Sequence, residues 1–146
     1  MEVFLVPHIT EREIWVRSTD MDADGIVNNA RYFEFFEQAR LEHLVALGIV
    51  ARPRPLGGVH RSFTIAETTC RYLAPLRYRD TVTAQAWTQK IGNRSFILGY
   101  RLLHRSDDLV AAEGSSAQVW LDADGRPTRL PDPARAALEA SMGSDA

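Results

Sequence analysis

The sequence contains a single cysteine, Cys70, among its 146 residues. One thiol cannot form an internal disulfide or a cysteine-based metal site, which excludes both as supports for the fold. Acidic and basic residues nearly balance, with 17 Lys and Arg against 19 Asp and Glu and a formal net charge of −2. This balance lacks the basic excess of nucleic-acid-binding domains, so we expect no nucleic-acid partner.

Long apolar runs are also missing from the sequence. No stretch approaches the roughly 18 consecutive apolar residues that a membrane-spanning helix needs. The short apolar run at residues 3–6 has no basic segment before it and ends at Pro7, which does not fit a signal peptide. We therefore expect a cytoplasmic protein without a membrane partner.

The composition is that of an ordinary globular protein. Hydrophobic residues make up 45% of the chain and charged residues 25%, and a chain of this length can bury a core without disulfides. We expect a single domain over residues 1–146, with its core at about residues 12–122. The C-terminal extension is predicted to carry a short helix at residues 132–141.

The strongest helical pattern covers residues 30–47. Apolar side chains recur on one face at helical spacing: Tyr32, Phe35, Phe36, Ala39, Ala46 and Leu47, widened by Phe33 and Leu44. Asn28 or Asn29 is the expected N-cap, and Gly48 ends the pattern. His43 falls within the apolar face, where a core histidine with a hydrogen-bond partner is favoured over a catalytic one.

Alternating residues elsewhere predict strands. One strand is expected at residues 12–18, before the helix, and four follow it at residues 59–73, 80–90, 95–105 and 109–121. A buried helix followed by a run of strands indicates an α+β fold, with an antiparallel sheet covered on one face by the helix.

An acidic, turn-rich segment at residues 19–29 precedes the helix. Its Asp20, Asp22, Asp24 and Gly25 match the first, third, fifth and sixth positions of an EF-hand loop. The last position would be Arg31, a cation where calcium needs a glutamate, so we do not expect a metal site. In a second interpretation these residues only form a turn and cap the helix.

A third interpretation of the segment is catalytic. A helix N-terminus presents free backbone N–H groups that can polarise a carbonyl or hold an oxyanion. A carboxylate just upstream can then act as a general base or a nucleophile. This arrangement suits hydrolysis of an activated acyl group, without a metal or a Ser-His-Asp triad. The spacing alone leaves the turn and catalytic interpretations open.

Residues 19–32 and 36–40 resemble the signature of the hot-dog-fold thioesterases. The resemblance is to the 4-hydroxybenzoyl-CoA thioesterase and YbgC-like acyl-CoA thioesterase group. Residues 72–80 are similar to the family's aromatic and proline motif at a strand end, and residues 90–96 to its hairpin before a Ser-Phe strand. The resemblance covers roughly residues 12–122. It implies an antiparallel sheet of about five strands wrapped around one long central helix.

The resemblance also implies a reaction and a site. The reaction is hydrolysis of an acyl thioester, with acyl-CoA favoured, to a free acid and a thiol. Asp22 matches the catalytic aspartate, and Asn29 matches the position whose backbone N–H lies near the thioester carbonyl. Asn93, Arg94 and Ser95 match the hairpin that contacts the CoA nucleotide. No cofactor is implied beyond the CoA of the substrate, and the working unit is a homodimer or homotetramer.

Some residues depart from the family pattern. Many YbgC-like members have a histidine at the position of Asn29. Plant acyl-ACP thioesterases share the Val-Asn-Asn element at residues 27–29, but they carry an Asn and a His where this chain has Asp24 and Ile26. Whether the substrate is an acyl-CoA or an acyl-carrier-protein thioester therefore stays open.

Other catalytic groups and functions also stay open. In a separate branch of the family the carboxylate lies on the long helix, where this chain has Glu34 and Glu37, and Glu67 is a further candidate. A hydratase or dehydratase on the same fold is one alternative function, and it would need an Asp/His pair. A non-enzymatic acyl-CoA-binding protein is another.

Overall fold

The computed structural model describes residues 8–51 and 62–143. Over these ranges five strands and two helices follow one another along the chain. Their bounds are β1 Ile9–Trp15, α1 Arg31–Ala46, β2 Phe63–Tyr72, β3 Thr81–Ile91, β4 Ser95–His104, β5 Val110–Trp120 and α2 Asp132–Met142. A single 3-10 turn at Ser18–Asp20 lies between β1 and α1. No helix in these ranges is long and apolar enough to cross a membrane.

The strands form one antiparallel sheet in the order β1-β3-β4-β5-β2. The predicted α+β class and antiparallel sheet are confirmed. Alternation buries one face of the central strands, because every second side chain points the same way. The buried set in β3 and β4 is Val82, Ala84, Ala86, Thr88, Phe96, Leu98, Tyr100 and Leu102.

Helix α1 lies across this buried face and contacts β1, β2, β3 and β4. It has 16 residues, about 24 Å at 1.5 Å per residue, so it is shorter than β2, β3 and β4 and about as long as β1. The expectation of one long central helix is therefore only partly met, because α2 packs against β3 as well. Phe33, predicted on the apolar face, is 38% exposed. Gly48 does end the helix, in a left-handed conformation at φ 76°.

A glycine in β5 allows α1 to approach the sheet closely. A Cβ at Gly114 would overlap the ring of Phe36 and the carbonyl oxygen of Thr69. The same Phe36 ring stacks on Tyr100, with 4.9 Å between the ring centroids. Because residue 114 has no side chain, Phe36 of the helix can pack directly against the backbone of β5.

The buried His43 joins four elements. Its two ring nitrogens lie 2.8 Å from the Thr10 hydroxyl of β1 and 3.0 Å from the Thr88 hydroxyl of β3. Thr88 in turn lies 2.6 Å from the hydroxyl of Ser141 in α2. Burial, with a smaller contribution from the charge of His8, lowers the pKa of His43 to about 4. These contacts fit a neutral core histidine.

Candidate active site

Asp22 closes a tight turn before α1. Its N–H donates to the carbonyl of Ile26 at 2.8 Å, and Gly25 adopts φ 79° within the turn. Asp22 Oδ1 accepts hydrogen bonds from the N–H of Asp24 at 2.8 Å and of Ile26 at 3.4 Å. Among the described residues, none donates a hydrogen bond to Oδ2. One carboxylate oxygen therefore serves the turn, and the other is available for chemistry.

A second turn of the same sequence provides an internal comparison. Asp122 Oδ1 accepts from the N–H of Asp124 at 2.9 Å and of Arg126 at 3.0 Å, and Gly125 adopts φ 78°. The Asp122 N–H donates to the Arg126 carbonyl at 2.8 Å, as Asp22 does to Ile26. Asp122 and Asp22 therefore have the same turn role. Asp122 can serve as a control for that role.

Just before α1 and at its first two residues, one backbone N–H of residues 28–32 has no acceptor among the described residues. The free group belongs to Asn29, for which the described residues offer no acceptor. The other four N–H groups from residue 28 to residue 32 are satisfied: Asn28 by the Asp20 carbonyl, Ala30 by Asn28 Oδ1, Arg31 by the Asn28 carbonyl and Tyr32 by the Asn29 carbonyl. The N-cap is Ala30, which makes no side-chain cap bond, so the N-cap predicted at Asn28 or Asn29 is wrong; Asn28 Oδ1 instead accepts the Ala30 N–H just before the helix. The N–H without an acceptor belongs to the residue that the family resemblance implies.

Asp20 anchors this region. Its carboxylate is fully buried and accepts hydrogen bonds from the Arg17 N–H at 2.8 Å and the Arg17 guanidinium at 2.9 Å. Burial alone would raise the pKa of Asp20, but the Arg17 hydrogen bonds and the charges of Arg17 and Arg31 outweigh it and lower the pKa. Asp20 therefore stays ionised and turned inward onto guanidinium groups. This geometry does not suit the EF-hand role considered for Asp20. The described ranges also hold no group of three or more metal-ligating His, Cys, Asp or Glu side chains.

Tyr72 connects the sheet to the start of the helix. It is the last residue of β2, and its hydroxyl donates to the Asn29 carbonyl at 3.0 Å. Its ring packs edge-on against Tyr32, with 4.8 Å between centroids. The sequence indicated Tyr72 only as the aromatic residue of a strand-end motif. No local pattern predicts a contact with a residue 43 positions away.

The geometry can be compared with known proteins. Residues 16–138 match the family model of the Thioesterase-like superfamily. The chain belongs to this superfamily. Acyl-acyl carrier protein thioesterase ATL3 of Arabidopsis thaliana is 29% identical to it over 125 residues, which are 86% of this chain and 65% of ATL3. The chain thus spans slightly less than two thirds of that plant relative.

Solved structures of the superfamily share the fold. The PA2801 protein of Pseudomonas aeruginosa is 33% identical, with a TM-score of 0.76 over 88% of this chain and 97% of that one. A thioesterase from Thermus thermophilus, solved with coenzyme A and zinc, is 27% identical. Its TM-score is 0.79 over 95% of this chain and 98% of that one. The fold is therefore the hot-dog fold of thioesterases.

The structure separates the two groups of predicted site residues in this superfamily member. Asn93 and Arg94 form the exposed hairpin between β3 and β4, and Ser95 begins β4. The Asp22 turn lies at the other end of β3. The N–H of Val27, which follows this turn, donates to the carbonyl of Leu76, in the segment that precedes β3. The 11 residues of β3 span about 33 Å at 3.3 Å per residue. One chain does not bring the hairpin to Asp22.

The alternative carboxylates lie on solvent-facing surfaces. Glu34 pairs with Arg31 at 2.9 Å, and the side chain of Glu37 is 71% exposed. Glu67 is exposed on β2, an edge strand of the sheet.

The histidines that a hydratase would need are placed elsewhere. His43 is bound to two threonines in the core, and His104 lies 3.8 Å from Asp80 at the end of β4. His8 bonds to the Ser141 carbonyl at 3.0 Å. His60 falls outside the described residues.

Proposed function

We propose that the protein hydrolyses an acyl thioester, with Asp22 as the catalytic carboxylate and the Asn29 N–H as the carbonyl-polarising group. The observation that carries this proposal is that, among the described residues, the Asn29 N–H has no acceptor and Asp22 Oδ2 has no donor, within one short segment before α1. Asp22 lies in the turn of a small hairpin and Asn29 follows its second arm, because Met21 pairs with Val27 and the Asn28 N–H donates to the Asp20 carbonyl. The proposed base and the proposed carbonyl-polarising group therefore belong to one short segment before α1.

The chemistry follows from this pair. The thioester oxygen accepts a hydrogen bond from the Asn29 N–H, and the positive end of the α1 dipole favours the charge that develops on that oxygen. Asp22 Oδ2 either attacks the carbonyl carbon or removes a proton from an attacking water. The C–S bond breaks and the sulfur leaves as a thiolate, which needs no strong general acid because thiols ionise near pH 8.5. Water supplies the hydroxyl of the acid and the proton of the thiol.

Acyl-CoA is the proposed substrate class, and we place the protein with the 4-hydroxybenzoyl-CoA and YbgC-like acyl-CoA thioesterases. Support comes from the superfamily match and from the Thermus thermophilus relative solved with coenzyme A. The Arabidopsis relative is named for acyl carrier protein, so a carrier-protein thioester is the alternative substrate. No cofactor other than the CoA of the substrate is proposed, and the proposed location is the cytoplasm.

The proposed working unit is a homodimer, alone or paired into a homotetramer. Asn93, Arg94 and Ser95 are the proposed contacts for the CoA nucleotide, and the Arg94 guanidinium suits a phosphate. The separation of about 33 Å along β3 keeps this hairpin from the Asp22 of its own chain. A second copy of the chain would supply the hairpin instead.

The test compares Asp22→Asn with Asp122→Asn. Both substitutions keep Oδ1 as the turn acceptor and remove one carboxylate from the same local structure. Release of free thiol is measured with acyl-CoA substrates ranging from short to long and aromatic. We expect Asp22→Asn to lose at least about 100-fold in kcat and Asp122→Asn to stay within about threefold of the wild type.

Two outcomes would contradict the proposal. A folded Asp22→Asn variant that keeps most of the activity would remove Asp22 from the chemistry. A wild-type protein that binds acyl-CoA by calorimetry but releases no thiol across the substrate panel would be a binding protein. Circular dichroism and melting temperature check that each variant is folded.

A further inference from the structure

We propose that Tyr72 is a positioning residue of this site, whose hydroxyl holds Asn29 so that its free N–H meets the thioester oxygen. This inference rests on the proposed function, because it gives Tyr72 a role only if the Asn29 N–H stabilises the reacting carbonyl. Tyr72 itself touches the backbone of Asn29 and need not touch the substrate.

The contacts of Tyr72 connect two rigid elements. Its hydroxyl lies 3.0 Å from the Asn29 carbonyl oxygen, and its backbone belongs to β2, paired with Ala112 of β5. Its ring packs edge-on against Tyr32 in the first turn of α1. The start of the helix is thereby fixed to the edge strand of the sheet.

Asn29 is held through the peptide units on both of its sides: the Asn28 carbonyl, coplanar with the Asn29 N–H, accepts from the Arg31 N–H at 2.9 Å, and the Asn29 carbonyl accepts from Tyr72. The flanking N–H groups of Asn28 and Ala30 are held by acceptors, whereas the Asn29 N–H is free among the described residues. The Asn29 carbonyl also accepts a long hydrogen bond of 3.3 Å from the Tyr32 N–H, so Tyr72 is the stronger of the two donors to that carbonyl and fixes the C-terminal side of Asn29. An oxyanion donor works only within about 2.7–3.1 Å of the oxygen. A misplacement of about 1 Å can cost about 100-fold in rate.

The hydroxyl is a dependable donor at this position. Partial burial, together with nearby Cys70, raises the pKa of Tyr72 above its usual value, so the group stays protonated throughout the neutral range. Tyr72 is also 41% exposed, so its hydroxyl does not need this bond to avoid burial without a partner. Removal of the hydroxyl should therefore change the rate much more than the folding stability.

Tyr72→Phe tests the inference, because it keeps the ring packing against Tyr32 and removes only the hydroxyl. We expect kcat for acyl-CoA hydrolysis to fall about 10- to 100-fold, while KM changes less than about twofold and the melting temperature stays within about 2 °C. Cys70→Ala is the matched control. It removes a side chain that interacts with the Tyr72 hydroxyl and leaves the bond to Asn29 in place, so kcat should stay near wild type.

The outcomes separate this inference from the proposed function. If Asp22→Asn is inactive while Tyr72→Phe keeps wild-type kcat, the positioning role is wrong and the proposed function stands. If Tyr72→Phe raises KM at constant kcat, or loses activity only in proportion to its folded fraction, the residue binds substrate or supports the fold instead. If Asp22→Asn stays active, the proposed function fails first, and the role of Tyr72 fails with it.

Discussion

The free energy of unfolding should fall as the pH drops from 6.5 to 4, because His43 binds a proton in the unfolded chain before it does so in the folded protein. The ring is completely buried, and its pKa is lowered to about 4 from the ordinary 6.5. Between these values the unfolded chain binds a proton that the folded chain does not, so acid favours unfolding. The stability that the protein gains from keeping His43 neutral is fully present above about pH 6.5 and is largely lost by about pH 4. At about 1.36 kcal/mol per pKa unit it amounts to about 3 kcal/mol, of which about 2 kcal/mol is lost by pH 5.

Urea unfolding at pH 7.5, 6.5, 5.5 and 5 measures this loss. The wild type should lose about 2 kcal/mol of its free energy of unfolding across the series. His43→Gln should start about 1–3 kcal/mol lower at pH 7.5, because the bonds to Thr10 and Thr88 are disturbed, and should then change little. A His43→Gln variant that keeps the wild-type slope would refute the reasoning.

Two further predictions concern packing and assembly. Gly114→Ala should cost about 1–3 kcal/mol in urea unfolding, because its Cβ would overlap Phe36 and Thr69, whereas Gly92→Ala, which meets Ser95 atoms at 3.2 and 3.3 Å, should cost less. Equal losses would show that α1 does not depend on the gap at Gly114. In a refolded equal mixture, Asp22→Asn and Arg94→Ala subunits should regain about a quarter of wild-type activity, because half the dimers are mixed and each has one intact site. Activity no higher than the average of the two parents would place the hairpin and Asp22 of one site on the same chain.

The sequence predicted the elements of the fold well and their ends less well. The helix expected at residues 30–47 is found at Arg31–Ala46, because the wide apolar face and Gly48 are both local signals. The strand expected at residues 12–18 lies instead at Ile9–Trp15. Alternation continues through Val16, but the chain then leaves the sheet in a 3-10 turn fixed by hydrogen bonds between Arg17 and Asp20. Strand periodicity does not carry that information.

The candidate site was only partly predictable. The Asp-Gly turn at Asp22 follows from local residue preferences, whereas the N-cap predicted at Asn28 or Asn29 lies at Ala30 instead. Local preferences do not predict the free N–H of Asn29, because it depends on which neighbouring N–H groups donate to acceptors on Asp20 and Asn28. The bond from Tyr72 and the separation of the hairpin from Asp22 both depend on the strand order of the sheet, which no single segment of sequence encodes.

The two Asp-Ala-Asp-Gly turns show how little a short motif says about function. Asp22 and Asp122 share the same letters, the same left-handed glycine and the same hydrogen bonds. A motif search would score them alike, and so would any comparison of local backbone shape. Anyone transplanting this site into another scaffold would therefore have to carry over the backbone around Asn29 and its restraints, because the four-residue turn alone transfers only a bend in the chain.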